Sequence, residues 1–386
     1  MPEIRKVLIC IILPDFNLMD RYSAVSAVVY SFADLLRKNG YEITVNDREL
    51  ESWEKEFVST STVYLPITRY GFIKYFPKRF REFIKDLLFL RKNRRLYRSI
   101  STQKKPDVVL GWITMGNSYP ADLAKHWSVP LVSIFDNPLV EEYTYLKGFP
   151  PFFKKLINQH EKRVLVNSEA VVVYSQAVKT HLQKVHGLAS KFYFKAFTDF
   201  KRMSYLNATR ETKEINFVYI GSFFNWHQID DLIEAYSELH KTYLNARLYL
   251  VGDGPEFKRI KQLVQQTDII MTGKLDGKEL QALMKNMHVG VIPNALWFQA
   301  PVKLFQYSAA GLAVISKATP TIRELTSDQP CYSFFKNVEE LKQQMEGFLK
   351  NPDKIEAKSK EAQEYIRGNF SENNYMDLFN EIFRSL

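Results

Sequence analysis

Short runs of apolar residues alternate along the chain with longer stretches in which apolar side chains return every three or four positions. Residues 7–13, 107–110, 130–135 and 170–174 are apolar almost throughout, the pattern of strands covered on both faces, and 41–45 reads as a further strand. The segments between them are long enough for crossover helices. The first of these runs over about 21–39 and stops at Gly40, a usual residue just past a helix C-terminus. Between 194 and 216 the pattern breaks into polar, irregular sequence, and then the rhythm restarts with apolar runs at 217–220, 247–251, 269–271, 289–292 and 312–316. Ile229, Leu232, Ile233 and Tyr236 mark the buried stripe of an intervening helix. Strands alternating with helices predict mostly parallel sheets with helices on both faces. A chain of 386 residues that is 46% hydrophobic suffices for two such domains.

The second half holds a stretch in which chemistry and structure coincide. Residues 300–311, Ala-Pro-Val-Lys-Leu-Phe-Gln-Tyr-Ser-Ala-Ala-Gly, read as a helix started by Pro301, packed closely through small residues and closed by Gly311. In a doubly wound sheet, ligands bind near helix N-termini and at the carboxyl ends of strands. Lys303 at a helix start opposes the helix dipole, and a bound anion is a reason for it to stand there. Gly252-Asp253-Gly254-Pro255 is a turn whose glycines allow positive φ and whose proline opens another helix.

The stretch 300–311 resembles the signature of family-4 glycosyltransferases, Ser-Pro-x-Lys-hydrophobic-Phe-Glu-Tyr-Met-Ala-x-Gly, with Ala300 in place of the serine and Gln306 in place of the glutamate. Gly221-Ser222-Phe223, Gly252-Asp253-Gly254-Pro255, Gly273-Lys274 and Ile322-Arg323-Glu324 follow the family's order and spacing. The resemblance implies a GT-B fold, two Rossmann-like α/β domains facing a central cleft. Residues 1–200 would form the acceptor-side domain and 201–365 the nucleotide-sugar domain, with 366–386 as a helix packing back on the first. It implies a hexosyltransferase that moves a sugar from a nucleotide-sugar donor to a hydroxyl of a glycan or lipid-linked glycan, with retention at the anomeric carbon. The donor-binding residues it carries over are Gly221, Ser222, Phe223, Gly273, Lys274, Pro301, Gln306 and Glu324. Lys303 and His227 are expected on the donor phosphates, and Asp136 on the acceptor side as a base or orienting group.

The departures from the family's pattern bear on the chemistry. No glycine lies between 15 and 26, where family members usually carry Gly-Gly. The phosphate-binding Arg and Lys of the loop after the first strand of the second domain become Ser222 and His227, with Gln228 where a glycine stands; the earlier of two glutamates becomes Phe298. A subset of the family writes that loop Gly-Ser-Phe-x-x-Trp-His-Gly, and residues 221–227 fit that version. His227 is expected to donate to a phosphate oxygen, best when protonated; a packed structural histidine is the plain alternative. For Asp136, in Asp-Asn-Pro-Leu, the plain alternative is an Asx turn. The combined losses leave open a second reading of the whole chain, a catalytically impaired glycosyltransferase-like protein that binds nucleotide or glycan and supports an active partner.

Charge adds one feature. The net charge is +10, and ten lysines and arginines stand against two carboxylates between Lys74 and Arg98. Phe80, Phe83, Ile84, Leu87 and Leu88 form one helical stripe there. Two readings stand side by side, a helix lying on an anionic membrane surface and a domain helix with solvated charges. Nucleic-acid recognition motifs, Asp-x-Asp and zinc spacings are absent from the sequence, so no metal, no cofactor beyond the donor substrate and no nucleic-acid partner are expected. Two cysteines, Cys10 and Cys331, in apolar surroundings suit a cytoplasmic protein, and the membrane reading of the basic segment would make it peripheral at the inner face of the membrane.

Overall fold

The computed structural model describes residues 4–11, 24–51, 94–114, 118–147, 151–198, 213–275 and 277–386. Most of the glycine-free first loop, most of the basic segment and residues 199–212 of the polar stretch lie outside the described residues.

The apolar runs of the first half become β1 (Lys6–Cys10), β2 (Glu42–Val45), β4 (Val108–Trp112), β5 (Leu131–Phe135) and β6 (Ala170–Val173), and two strands outside those runs, β3 (Arg48–Glu49) and β7 (Lys191–Phe194), join them. They form one sheet in the order β3-β2-β1-β4-β5-β6-β7, parallel except for the β2–β3 hairpin. All residues of β4, β5 and β6 are buried, which is why these strands read as unbroken apolar runs. The strand order turns back between β1 and β4, placing the carboxyl ends of β4, β5 and β6 side by side.

The second half gives β8 (Ile215–Ile220), β9 (Ala246–Val251), β10 (Ile270–Gly273), β11 (Val289–Ile292), β12 (Ala313–Lys317) and β13 (Tyr332–Phe335). Their order is β10-β9-β8-β11-β12-β13, and every pairing is parallel. The helix Val302–Ala309 joins β11 to β12 and lies so close to the sheet that a Cβ at Gly290 would come within 2.3 Å of the Tyr307 ring. The Tyr307 hydroxyl accepts a hydrogen bond from the Ile220 amide at 2.8 Å, which fixes this helix against the end of β8.

The chain divides into two compact units, Met1–Phe197 with Glu372–Leu386, and Thr198–Ser371. The helix Asp353–Asn369 stays with the second unit, and the last helix, Glu372–Ser385, with the first. There Tyr375 meets Phe32 with ring centroids 4.9 Å apart and donates its hydroxyl to the Ala196 carbonyl at 2.6 Å; Phe383 meets Tyr41 at 5.5 Å. Among the described residues, no helix is long and apolar enough to cross a membrane.

Candidate functional site

In the second unit, backbone hydrogen bonds fasten together the loops that leave β8, β9 and β10. The Phe223 amide donates to the Asp253 carbonyl, the Glu256 amide to the Phe223 carbonyl and the Gly252 amide to the Gly273 carbonyl, each at 2.9 Å. The loops approach so closely that side chains are excluded: a Cβ on Gly252 (φ 132°) would lie 2.0 Å from the Gly221 oxygen. At Gly221 itself a Cβ would meet the Lys303 Nζ at 2.8 Å and the Tyr219 hydroxyl at 3.1 Å. Lys303, in the first turn of the helix Val302–Ala309, thus reaches back to the end of β8. Its ammonium lies 4.1 Å from the centroid of the Tyr219 ring, whose hydroxyl donates to the Ser222 carbonyl at 2.9 Å.

That ammonium is buried, and its Nζ has no hydrogen-bond partner among the described residues. Burial pulls the Lys303 pKa down to about 7. A cation taken out of water, facing only the π surface of a tyrosine at a helix N-terminus, is a poor arrangement by itself and a good one for an anion.

His227 ends the tight turn Asn225–His227 next to this lysine. Its ring lies 3.6 Å from that of Trp226 and 6.0 Å from that of Tyr219. Burial, and then the Lys303 charge, push its pKa down to about 2, against a hydrogen bond to the Asn294 backbone. The imidazole is therefore neutral at physiological pH and lacks the charge with which it would donate best to a phosphate. Its Nδ1 is buried without a partner among the described residues, as is the Trp226 Nε1. The tautomer is assigned from the backbone bond, which needs the ring's proton and leaves Nδ1 as an acceptor. The loop is tied down by the Asn294 side-chain amide, which donates to the Trp226 carbonyl at 2.7 Å.

The structure thus brings Gly221, His227 and Lys303 together. Ser222 is exposed in the same loop. Phe223 is fully buried in the core, 5.9 Å from Tyr219 and 5.7 Å from Phe257, so its side chain builds the loop and does not meet a donor as expected. Pro301 caps the helix that carries Lys303, and Gln306 sits half-buried one turn further on. Gly273 takes a left-handed conformation (φ 72°) ahead of exposed Lys274, and Glu324 is exposed on the helix Pro320–Leu325 after β12. Phe298 is fully buried, and Trp297 packs edge-on against it at 5.3 Å.

A second cluster lies in the first unit, where three neighbouring strands end. Trp112, the last residue of β4, donates its Nε1 to Asp136 at 3.1 Å, and Tyr174, just past β6, donates its hydroxyl at 2.5 Å. Asp136 itself follows β5. Its partners are remote in sequence, unlike those of an Asx turn. Burial pushes its pKa up to about 6 against those two hydrogen bonds. Glu142 is pushed up to about 7 by burial and then by the Asp136 charge, while the Asn137 amide bonds to it at 3.1 Å. Sequence reasoning did not assign roles to Trp112, Tyr174, Glu142 or Trp226. The available signal was position, since the first two stand at the carboxyl ends of apolar runs. Among the described residues, no group of three or more His, Cys, Asp or Glu side chains is arranged to hold a metal.

Residues 25–193 match the family model described as Glycosyltransferase Family 4, and residues 214–351 the model described as Glycosyl transferases group 1. An uncharacterized glycosyltransferase from Methanocaldococcus jannaschii is 22% identical over 249 residues. The chain spans 62% of that curated relative's length, with 61% of its own. Among solved structures, sucrose-phosphate synthase from Thermosynechococcus elongatus superposes with a TM-score of 0.72 at 15% identity, over 99% of this chain and 100% of that one. HepE from Anabaena, solved with UDP-glucose, gives 0.64 at 14% identity over the same shares. These structures share the fold, two Rossmann-like α/β domains of the GT-B type.

Proposed function

Since the chain is a family-4-like glycosyltransferase matched by glycosyltransferase models in both halves, we propose that its second unit binds a nucleotide-sugar donor by the diphosphate, at Lys303. In this reading a hexose passes to a hydroxyl of a glycan or lipid-linked acceptor with retention at the anomeric carbon. No metal takes part. The observation that carries the reading is the buried Lys303 ammonium, close against Gly221 and with no hydrogen-bond partner among the described residues.

Negative charge develops on the leaving diphosphate as the bond to the sugar breaks. Lys303 and the backbone amides at the start of its helix are preorganised to take it up, so no reorganisation accompanies the step. Gly221, Gly252 and Gly254 keep the nearby loops free of side chains, and Lys274 adds a second, exposed cation. Gln306 offers the ribose hydroxyls an amide carbonyl. On the acceptor side, Asp136 is held by Trp112 and Tyr174 and orients the incoming hydroxyl. The family resemblance supports retention, and the basic segment 74–98 supports a cytoplasmic enzyme peripheral to an anionic membrane.

The alternative, a protein that binds donor but turns it over poorly, draws on one observation. His227 is neutral where the family's usual loop carries a cation, and among the described residues Lys303 is the single buried lysine or arginine. Incubation with UDP-, GDP- and ADP-sugars, with membranes as acceptor, separates the two. Sugar transfer from one of them, reduced at least about 100-fold by Lys303→Met, is expected. Nucleotide binding with no turnover of any donor supports the impaired protein instead.

A further inference from the structure

Two buried polar atoms in the loop next to Lys303 have no partner among the described residues, and their chemistry differs. The Trp226 Nε1–H only donates, and the His227 Nδ1, in the tautomer set by its bond to the Asn294 backbone, only accepts. Ionised diphosphate oxygens accept hydrogen bonds and cannot donate. They complement Lys303 and Trp226, but they set lone pair against lone pair at His227. A hydroxyl complements both atoms at once, since its hydrogen goes to Nδ1 and its oxygen accepts from Nε1–H.

We propose that Trp226 and His227 form a hydroxyl-reading pair next to the diphosphate site, so that His227 distinguishes a sugar nucleotide from the bare nucleoside diphosphate through a hydroxyl of the glycosyl group. The inference rests on the donor reading above and adds a specificity-determining residue to it. The surroundings hold the pair in place. The two rings lie 3.6 Å apart, Tyr219 closes the inner side, and the Asn294 amide holds the Trp226 carbonyl at 2.7 Å. The Lys303 charge works in the same direction, because it opposes protonation of the imidazole and so preserves the acceptor. On the outer side Phe224 stacks on Trp226 at 6.0 Å and is 37% exposed.

The test is calorimetric titration of the full chain with UDP-glucose, GDP-mannose and ADP-glucose, and with UDP, GDP and ADP alone. Wild type is compared with His227→Phe, which removes the acceptor, and His227→Asn, whose carbonyl oxygen falls near the Nδ1 position. For the nucleotide that wild type binds, His227→Phe is expected to weaken the sugar nucleotide about 10-fold and the bare diphosphate less than about 2-fold, and His227→Asn to recover most of the loss. Trp226→Phe deletes the matching donor and should show the same selectivity, which carries the test if His227→Phe does not fold. Equal weakening of both ligands, as a phosphate or ribose contact gives, overturns the proposal and leaves the donor site standing; so does no weakening. A wild-type protein that binds none of the six ligands overturns the donor reading, and this inference with it.

Discussion

Lys303 stands near half-charge at neutral pH in the free protein, and this has a consequence for stability. Its ordinary pKa of 10.5 applies in the unfolded chain, whereas in the folded protein burial brings it to about 7. Between those values the unfolded state holds the proton that the folded state has released. Stability therefore rises with pH across that window, and the full penalty of the buried charge applies below it. Lys303→Met should flatten that slope and stabilise the protein by about 2 kcal/mol at pH 7, as read by denaturant unfolding at pH 6.5, 8 and 9.5. A variant less stable than wild type at pH 6.5 contradicts the account of a strained, uncompensated cation. The sequence showed Lys303 and its place at a helix start. It did not show the company the lysine keeps, because Tyr219, Gly221 and His227 reach it only when β8 and the helix Val302–Ala309 pack together. For the same reason the histidine's charge state was not legible, since burial, the largest cause of its shift, has no local signature.

At the scale of elements, the loop after β8 is built for closeness, and two substitutions probe it from opposite sides. Gly252→Ala places a methyl 2.0 Å from the Gly221 oxygen in a conformation that L residues avoid. A loss of about 3 kcal/mol is expected, measured by thermal or denaturant unfolding. Gln228 is left-handed (φ 49°, ψ 48°), a conformation that favours glycine. Gln228→Gly relieves that strain and should stabilise by up to about 1 kcal/mol, with loop geometry and ligand affinity retained. If Gln228→Gly destabilises the protein, the left-handed residue is not a strained one. The central strands β4, β5, β6 and β11 were legible because full burial leaves unbroken apolar runs. The edge strands β7 and β13 were not, because four residues are too short a run to show a pattern, and in β7 their exposure is mixed as well.

At the scale of the whole molecule, two sheets repeat one plan, and the last helix returns to the first of them. Tyr375→Ala removes a fully buried ring that meets Phe32 and Phe197. It should cost the first unit about 3–5 kcal/mol. Hydrogen exchange followed by mass spectrometry should then show faster exchange in β1, β4 and the helix Ala24–Lys38, with the strands of Thr198–Ser371 unchanged. Uniform acceleration in both units contradicts that division. The two-unit architecture could be anticipated from the alternation of strands and helices. The cluster of Trp112, Asp136 and Tyr174 could not, since it depends on which strands end side by side. The account as a whole turns on a nucleoside diphosphate held by Lys303, and calorimetric titration of UDP, GDP and ADP into wild type and Lys303→Met tests it most directly. It predicts that one of the three binds wild type, taking up a proton at pH 8 as Lys303 becomes charged, and binds the variant at least about 100-fold more weakly. Equal binding by the two proteins, or no binding by wild type, contradicts it.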